Sequence, residues 1–390
     1  MRIIIIHRSF ALVGGAERVI TDKANYLAKE GHQLMLVSYE QGEHPLPYEL
    51  NSSVQYKDLD CRFFTLSKYP SLSRLYHFFR LRSKFQKSLH SVVVSFQADV
   101  VVMASDWQTL IDLVLDASGT VPVIAEFHNA YDYVMRNVEV SGSRLKLLLT
   151  KAYYWNTLKH LKRCACLVVL TNADAKNWQK HFENVVVIPN PLSYYPDVVD
   201  DVPKDNGRII FVGRFNHEKR IDRLIDAFYM IADKYPDWHV DIFGEGNEKQ
   251  NLLDQIASLN LKGRVIIHEP TKAIYDEYKR SEMLALCSEH EAYSLVLVEA
   301  MSCGIPCVSF DCPVGPGEII NDGVTGCLVK NGDVSDLASK MEWLIVHDAE
   351  RREMGIKARE SAAKRRLSIV MSEYEVLLHK VVNKQQLGVL

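Results

Sequence analysis

Residues 288–308 read Ser288-Glu-His-Glu-Ala-Tyr-Ser-Leu-Val-Leu-Val-Glu-Ala-Met-Ser-Cys-Gly-Ile-Pro-Cys-Val308, and the junction within them decides the fold. The apolar run Met283 to Cys287 predicts a buried strand, and Leu295 to Met301 predicts a buried helix. Two carboxylates, Glu291 and Glu299, bracket the turn between strand and helix. A buried strand that leads straight into a buried helix is typical of a parallel sheet covered by helices.

The two glutamates predict that this junction binds a ligand. Glu299 lies in an apolar helix, where an ionised carboxylate is costly to bury without a partner. Glu291 precedes the helix start, where unpaired backbone N–H groups favour anions. Such a junction suits a ligand that carries a sugar, a diphosphate and a ribose. The alternatives are an exposed loop acid at Glu291 and a core acid paired to a lysine or arginine at Glu299.

Alternating strands and helices fill both halves of the chain and predict an α/β protein. The apolar runs that we interpret as strands cover residues 3–6, 34–37, 100–103, 121–125, 167–170, 208–212, 240–243, 265–267, 283–287, 307–310 and 327–329. A connector rich in proline and aspartate, from Pro189 to Asp205, separates two such series. We therefore predict an N-terminal domain over residues 1–195 and a C-terminal domain over residues 196–365, which suits a chain of 390 residues.

Three more motifs accompany the Glu291–Glu299 pair: Val13-Gly-Gly-Ala-Glu-Arg18, Ile188-Pro-Asn-Pro191 and Val212-Gly-Arg-Phe-Asn-His-Glu-Lys-Arg-Ile-Asp222. In this order, and over nearly the whole chain, the four resemble the retaining glycosyltransferases of family 4. That resemblance implies the GT-B architecture: two doubly wound Rossmann-like domains with a ligand cleft between them. It also implies that a helix over about residues 366–390 crosses back onto the N-terminal, acceptor-side domain.

The resemblance also implies roles for individual residues. The first glutamate of the pair holds the transferred sugar and the second holds the ribose. Two cations neutralise the diphosphate, whose negative charge grows as the glycosidic bond breaks. A histidine that follows an N-domain strand orients the reacting groups. The implied catalytic residues are His128, Glu291, Arg214 and Lys219; the implied donor-binding residues are Gly14, Gly15, Gly213, Arg214, Lys219, Glu291, Ser294, Leu295 and Glu299.

The implied reaction moves a hexose or N-acetylhexosamine from a nucleotide-sugar donor to a glycan acceptor carried on a lipid diphosphate. The segment Cys312-Pro-Val-Gly-Pro-Gly-Glu318 is similar to one in bacterial surface-polysaccharide enzymes and favours a UDP-sugar. Arg220 and Glu269-Pro270 depart from the usual pattern of the family, so the identity of the donor's nucleobase stays open. Two rival functions remain: a GT-B-shaped nucleotide-sugar epimerase, and an inactive GT-B scaffold that binds partners.

We expect no cofactor and no metal. Asp58 and Asp60 resemble the acid pair that binds a metal in other glycosyltransferases, but their alternation with apolar residues predicts an edge strand instead. Arg214 and Lys219 can supply the positive charge that a metal would provide. The eight cysteines lack metal-ligand spacing and suit the reduced core of a cytoplasmic protein.

Charge is unevenly distributed along the chain. Residues 1–195 hold 22 basic and 17 acidic side chains, whereas the remainder holds 24 and 32. No acid occurs from Cys61 to Ala98, but no nucleic-acid-binding motif accompanies this basic stretch, so we expect no nucleic-acid partner. The helical pattern from Leu72 to Leu89 is apolar on one face and basic elsewhere. It predicts peripheral binding to the anionic inner face of the cell membrane, and the alternative is an ordinary core helix.

Overall fold

The computed structural model describes residues 1–11, 14–104, 107–132, 152, 155–199 and 203–384. Val13 of the glycine-rich motif and the end of the predicted terminal helix lie outside these ranges. The chain divides into two units, one formed by Met1–Ser193 with Leu367–Leu390 and the other by Tyr194–Arg366. Within the described residues, no helix is both long and apolar enough to cross a bilayer.

The first unit is built on a parallel sheet of order β3-β2-β1-β4-β5-β6-β7. Its strands are β1 Arg2–Ile6, β2 Gln33–Ser38, β3 Gln55–Asp58, β4 Val100–Ala104, β5 Val123–Glu126, β6 Cys166–Val169 and β7 Val185–Val187. Its helices include α1 Gly15–Lys29, α2 Ser71–Phe96, α3 Trp107–Ser118 and α4 Asn172–Trp178, with a 3-10 helix at Phe63–Lys68. The strand order reverses at β1, which is where doubly wound sheets bind ligands.

The second unit repeats this architecture with the strand order β10-β9-β8-β11-β12-β13. Its strands are β8 Arg208–Val212, β9 His239–Phe243, β10 Val265–His268, β11 Met283–Leu286, β12 Cys307–Asp311 and β13 Gly326–Lys330. Its helices are α5 Ile221–Ala232, α6 Lys249–Ser258, α7 Ile274–Arg280, α8 Leu295–Ser302, α9 Pro316–Ile319, α10 Val334–Val346 and α11 Asp348–Ala363, with a 3-10 helix at His217–Lys219.

These two sheets confirm the predicted α/β class and each of the eleven predicted strands, with ends shifted by at most two residues. Asp58 ends β3, which is the edge strand that the apolar alternation indicated. Strand β7, a run of three valines that pairs with β6, was not among the predicted strands. All eight cysteines are free.

The last helix, α12 (Leu367–Val382), packs into the core of the first unit. Its buried side chains join those of β1, β2 and β4 in one hydrophobic cluster. Burying such a stripe of aliphatic side chains is the main stabilising contribution of a helix that is distant in sequence from its sheet.

The structure of helix α2 contradicts part of the predicted membrane-facing surface. Phe85 and Leu89 are fully buried in the core, and Arg82 forms an ion pair with Asp112 of α3. The prediction was wrong for this half of the helix because a single apolar stripe cannot reveal whether protein or lipid covers it. The amino-terminal half is different, since Leu75, Tyr76 and Phe79 are exposed there.

A buried polar network fixes α12 to the sheet. Lys23 of α1 donates to Glu126 at the end of β5, with 2.5 Å between Nζ and Oε1, and both side chains are 2% exposed. The hydroxyl of Tyr374 donates to Oε2 of the same carboxylate at 2.9 Å. Burial opposes ionisation of Glu126, yet the charge of Lys23 and the contact with His128 hold the pKa of this carboxyl well below its usual range.

Glu126→Gln should destabilise the protein at neutral pH by about 3–5 kcal/mol, because it leaves the buried Lys23 unpaired. A carboxyl with a depressed folded-state pKa contributes stability above its unfolded pKa of about 4.3 and loses that contribution as the pH falls further. The difference in Tm between wild type and variant should therefore shrink from about pH 7 to about pH 3. Thermal unfolding across this range measures the difference, and Tyr374→Phe, which keeps the charge pair, is the control. A difference independent of pH would contradict this account.

Candidate functional site

The candidate site lies at the carboxyl edge of the second unit's sheet. Strands β8, β11 and β12 are adjacent there, so the segments that follow them lie side by side. These segments are the turn after Val212, the loop 287–294 and the turn after Asp311. Ligands of open α/β sheets bind at this edge.

Lys219 and Glu291 meet at this edge. Nζ of Lys219 lies 2.5 Å from Oε1 of Glu291, and the two side chains are 23% and 9% exposed. The sequence predicted a diphosphate role for the lysine and a sugar role for the glutamate, and the structure joins them in one partly buried ion pair. Partial burial weakens the screening by water, so each charge fixes the position of the other.

Backbone and thiol contacts hold the loop in place. The backbone N–H of Glu289 donates to the carbonyl of Glu218 at 2.9 Å. The thiol of Cys287 donates to the carbonyl of Lys219 at 3.3 Å, and that of Cys312 to the carbonyl of Ser288 at 3.4 Å. Burial raises the pKa of both thiols to about 12, so they stay protonated donors at neutral pH. These thiols therefore support the site and are not nucleophiles.

Two glycines allow the close approaches that shape this edge. A Cβ at Gly244, after β9, would clash with the carbonyl oxygen of Gly213. Gly315 has φ +102°, and a Cβ there would lie 3.3 Å from the Cβ of Glu291. The Pro-Val-Gly-Pro turn therefore packs directly against the residue that carries the site's carboxylate.

Ser294 begins α8 in a strained conformation. Its backbone lies in the left-handed region, with φ 65° and ψ 66°, which non-glycine residues rarely adopt. Its hydroxyl is buried and has no hydrogen-bond partner among the described residues. Strained residues concentrate at functional sites, and this one precedes Leu295, the first residue of the helix.

Glu299 lies one turn into α8 and is 3% exposed. The hydroxyl of Tyr278, in α7, donates to its Oε2 at 3.1 Å. This tyrosine is fully buried, so the pair is internal to the second unit. The sequence required a partner for Glu299 but could not identify one, because Tyr278 belongs to a different helix.

The cations after β8 differ in their surroundings. Arg214 is exposed and makes no side-chain hydrogen bond or ion pair with another described residue. Arg220 has φ 45°, so it adopts the left-handed conformation, which glycine reaches most easily. Its guanidinium pairs with Asp222 at 2.8 Å and with Glu289 at 2.9 Å. Of the two, Arg214 is available to a ligand.

The residues predicted in the first unit lie around α1 and β5. Gly14 precedes α1 and Gly15 begins it. A Cβ at Gly14 would clash with the carboxylate of Glu17, which lies 3.6 Å from Nε2 of His7. Nε2 of His128 lies 3.1 Å from Oε1 of Glu126, and its side chain is 5% exposed.

Asp58 and Asp60, which resemble a metal-binding pair of acids, bond to other groups of the protein. Asp58 accepts from the Ser38 hydroxyl at 2.9 Å and from the Gly42 backbone at 3.1 Å. Asp60 pairs with Arg62 at 2.6 Å and with Lys84 at 3.3 Å. In the part of the chain that the structure describes, no group of three histidine, cysteine or acidic side chains could hold a metal ion.

Sequence reasoning assigned no role to three residues that support the site: Tyr278, Asn216 and Arg365. The side chain of Asn216 caps the 3-10 helix that ends at Lys219, and Arg365 donates to the Tyr293 hydroxyl at 2.9 Å. Only Asn216 carries a local signal, because asparagine is a preferred capping residue. The others act through contacts between segments distant in sequence.

Two family descriptions match the chain. Residues 13–193 match "Glycosyltransferase Family 4", and residues 199–361 match "Glycosyl transferases group 1". Together they span most of the chain. The chain therefore belongs to the family-4 type of glycosyltransferases with the GT-B fold.

Similar proteins cover almost the full length. An uncharacterized glycosyltransferase of Haemophilus influenzae is 26% identical, over 94% of this chain and 96% of its own. The alpha-1,4-N-acetyl-D-galactosaminyltransferase of Campylobacter jejuni that acts on GalNAc-alpha-(1->4)-GalNAc-alpha-(1->3)-diNAcBac-PP-undecaprenol is 26% identical, over 95% and 96%. A mutant of S. aureus TarM, in complex with fondaparinux, alpha-GlcNAc-glycerol and UDP, superposes with TM-score 0.76 at 14% identity, over 97% and 99%, which shows the shared fold.

Ser294→Gly should stabilise the second unit by about 1 kcal/mol, because glycine adopts the left-handed conformation without strain. Ser294→Ala should give no such gain, because it removes the same hydroxyl and keeps the strain. Denaturant unfolding of the two variants measures the difference. Equal stability of the two variants would show that the conformation at this position carries no strain.

Proposed function

We propose that this glycosyltransferase is retaining and metal-independent. It transfers a hexose or N-acetylhexosamine from a UDP-sugar to a glycan acceptor carried on a lipid diphosphate, in polysaccharide biosynthesis. The observation that carries the proposal is the Lys219–Glu291 pair beside the start of α8. A cation, a carboxylate and free helix N–H groups at one sheet edge suit a ligand with a phosphate and a hydroxyl-bearing sugar.

Arg214 and Lys219 are proposed to hold the diphosphate. A leaving diphosphate gains negative charge as the glycosidic bond breaks, and fixed cations stabilise that charge in the transition state. Glu291 accepts hydrogen bonds from sugar hydroxyls, and Glu299 from the ribose. The N–H groups at Ser294 and Leu295, with the Gly213, Gly14 and Gly15 turns, complete the donor-binding set.

The proposed chemistry is substitution on the face that the leaving group vacates. The bond between the anomeric carbon and the diphosphate oxygen breaks, and the acceptor oxygen bonds to the same face. The hydroxyl proton passes to the departing diphosphate. Such a reaction requires positioning and charge, not a protein nucleophile. His128 is proposed to orient the reacting groups.

The donor and acceptor classes are supported by similar proteins. The TarM structure contains UDP, and the Campylobacter jejuni enzyme acts on a glycan joined through a diphosphate to undecaprenol. Both proteins match nearly the full length of this chain. These matches favour UDP-sugars and lipid-linked acceptors as the first substrates to test.

Glu291→Gln should reduce kcat by roughly 10²–10³-fold, because it removes a charged contact that strengthens as the sugar becomes electron-poor. Transfer assays with UDP-hexoses and UDP-N-acetylhexosamines measure the change. The matched control is Glu289→Gln in the same loop, whose carboxylate pairs with Arg220 and Arg223. This control should retain most of the activity.

Three outcomes would contradict the proposal. Unchanged turnover in Glu291→Gln would remove the role of this carboxylate. Consumption of the donor to an isomeric sugar nucleotide, without any acceptor, would identify an epimerase. Absence of sugar-nucleotide binding by calorimetry would identify an inactive scaffold.

Activity should survive EDTA, because Arg214 and Lys219 carry the electrostatic role that a metal has in other enzymes. Transfer rates are compared before and after chelation, and after addition of manganese or magnesium. Full loss with EDTA, restored by either metal, would disprove metal independence.

Membrane binding is proposed for an apolar patch on the amino-terminal half of α2. Leu75, Tyr76 and Phe79 are 55%, 67% and 60% exposed, and Arg74 and Arg80 lie beside them in sequence. Large apolar side chains next to basic ones suit an anionic bilayer surface, where each basic residue contributes about 1 kcal/mol. A lipid-linked acceptor would require such docking.

The double variant Leu75→Ser with Phe79→Ser should lose binding to vesicles that contain phosphatidylglycerol, because it removes apolar area from the patch. Val94→Ser, at the other end of α2 and equally exposed at 58%, should bind as wild type does. Co-sedimentation at low and high salt measures binding. Identical partitioning of both variants, or no binding by wild type, would favour a water-soluble acceptor.

A further inference from the structure

An open cavity of about 390 Å³ lies at the carboxyl edge of the first unit's sheet. The loop 40–45, which follows β2, forms one wall, and Arg62 and Phe64 form the other. None of the residues assigned so far to the donor or the chemistry lines it. Carboxyl edges of parallel strands are where α/β proteins bind ligands.

Buried polar contacts build this cavity. Glu40, 8% exposed, accepts from Nε of Arg8 at 2.5 Å and from the backbone N–H of Phe64 at 3.0 Å, so it ties the two walls together. Gln41, 2% exposed, accepts from the backbone N–H of Phe10 at 2.6 Å and donates to the carbonyl of His44 at 2.8 Å. The walls are therefore preorganised, which reduces the entropic cost of binding.

Aromatic and basic side chains of this cavity face the solvent. Phe64 is 52% exposed, and Arg62 and His44 are exposed beside it. An aromatic face can cover the C–H surface of a sugar ring, while guanidinium and imidazole groups bond its hydroxyls. Arg62 is held by Asp60 at 2.6 Å, so its guanidinium is positioned before a ligand arrives.

A second cavity, of about 330 Å³, is lined by Arg2, Gln33 and Gln55, the first residues of β1, β2 and β3. It therefore lies at the amino edge of the same sheet. Ligands of doubly wound sheets bind at the opposite edge, so this cavity is the weaker candidate.

We infer that the cavity between the loop 40–45 and Arg62–Phe64 binds a saccharide unit of the acceptor. This inference rests on the proposed function, because an acceptor that is itself a glycan requires a saccharide site apart from that of the donor. Phe64 stacks on the sugar ring, and Arg62 and His44 select among its hydroxyls. All three are specificity-determining residues, because they contact the ring and hydroxyls of the bound saccharide and take no part in bond breaking.

Ligand-observed NMR with methyl α-glycosides of N-acetylgalactosamine, N-acetylglucosamine and galactose tests the site. Wild type should give saturation transfer with at least one of these probes, and Phe64→Ala and Arg62→Gln should weaken that glycoside's affinity about tenfold. Tyr229→Ala is the matched control, because Tyr229 in α5 is as exposed as Phe64, at 52%, but does not line the cavity.

Calorimetry with UDP on the same samples separates this inference from the donor proposal. UDP affinity should be unchanged in Phe64→Ala and Arg62→Gln. Glycoside binding that is absent in wild type, equal in all variants, or lost equally in Tyr229→Ala would overturn the saccharide site. Absent UDP binding with intact, Phe64-dependent glycoside binding would overturn the donor proposal and leave this site standing.

Discussion

The ion pair between Lys219 and Glu291 is the interaction on which the donor side of this protein depends. It exists because β8 and β11 are neighbours in the sheet, although their loops are about 70 residues apart in sequence. Glycines at 244 and 315 and the thiols of Cys287 and Cys312 bring those loops close enough to meet. Much of the local packing therefore holds one carboxylate and one ammonium close enough to form an ion pair.

In the first unit, too, an ion pair joins segments that are distant in sequence, and here the polar network is more deeply buried. Lys23, Glu126 and Tyr374 join α1, β5 and α12 through charges that water does not reach. A buried pair of this kind is costly to break, because the remaining partner stays desolvated. The terminal helix is thereby held on the sheet by directed polar contacts in addition to its apolar stripe, and the neighbouring His128 has a fixed environment.

The local patterns predicted well wherever periodicity was strong. Strands such as Val100–Ala104 are continuous apolar runs, and the junction before α8 is visible in the alternation of strand and helix signals. Contacts between residues distant in sequence could not be predicted, because no local pattern pairs Tyr278 with Glu299 or Tyr374 with Glu126. Helix α2 shows the same limit, because its amphipathic pattern did not distinguish the buried Phe85 from the exposed Phe79.

A double-mutant cycle tests most directly whether Lys219 and Glu291 act as one unit. Wild type, Lys219→Met, Glu291→Gln and the double variant are compared by kcat/KM for transfer from the preferred sugar nucleotide. Groups in one network show coupling of about 0.5–3 kcal/mol, and the account predicts a value in the upper part of that range. Losses that add to within about 0.5 kcal/mol would contradict it, because two independent contacts would then explain the site.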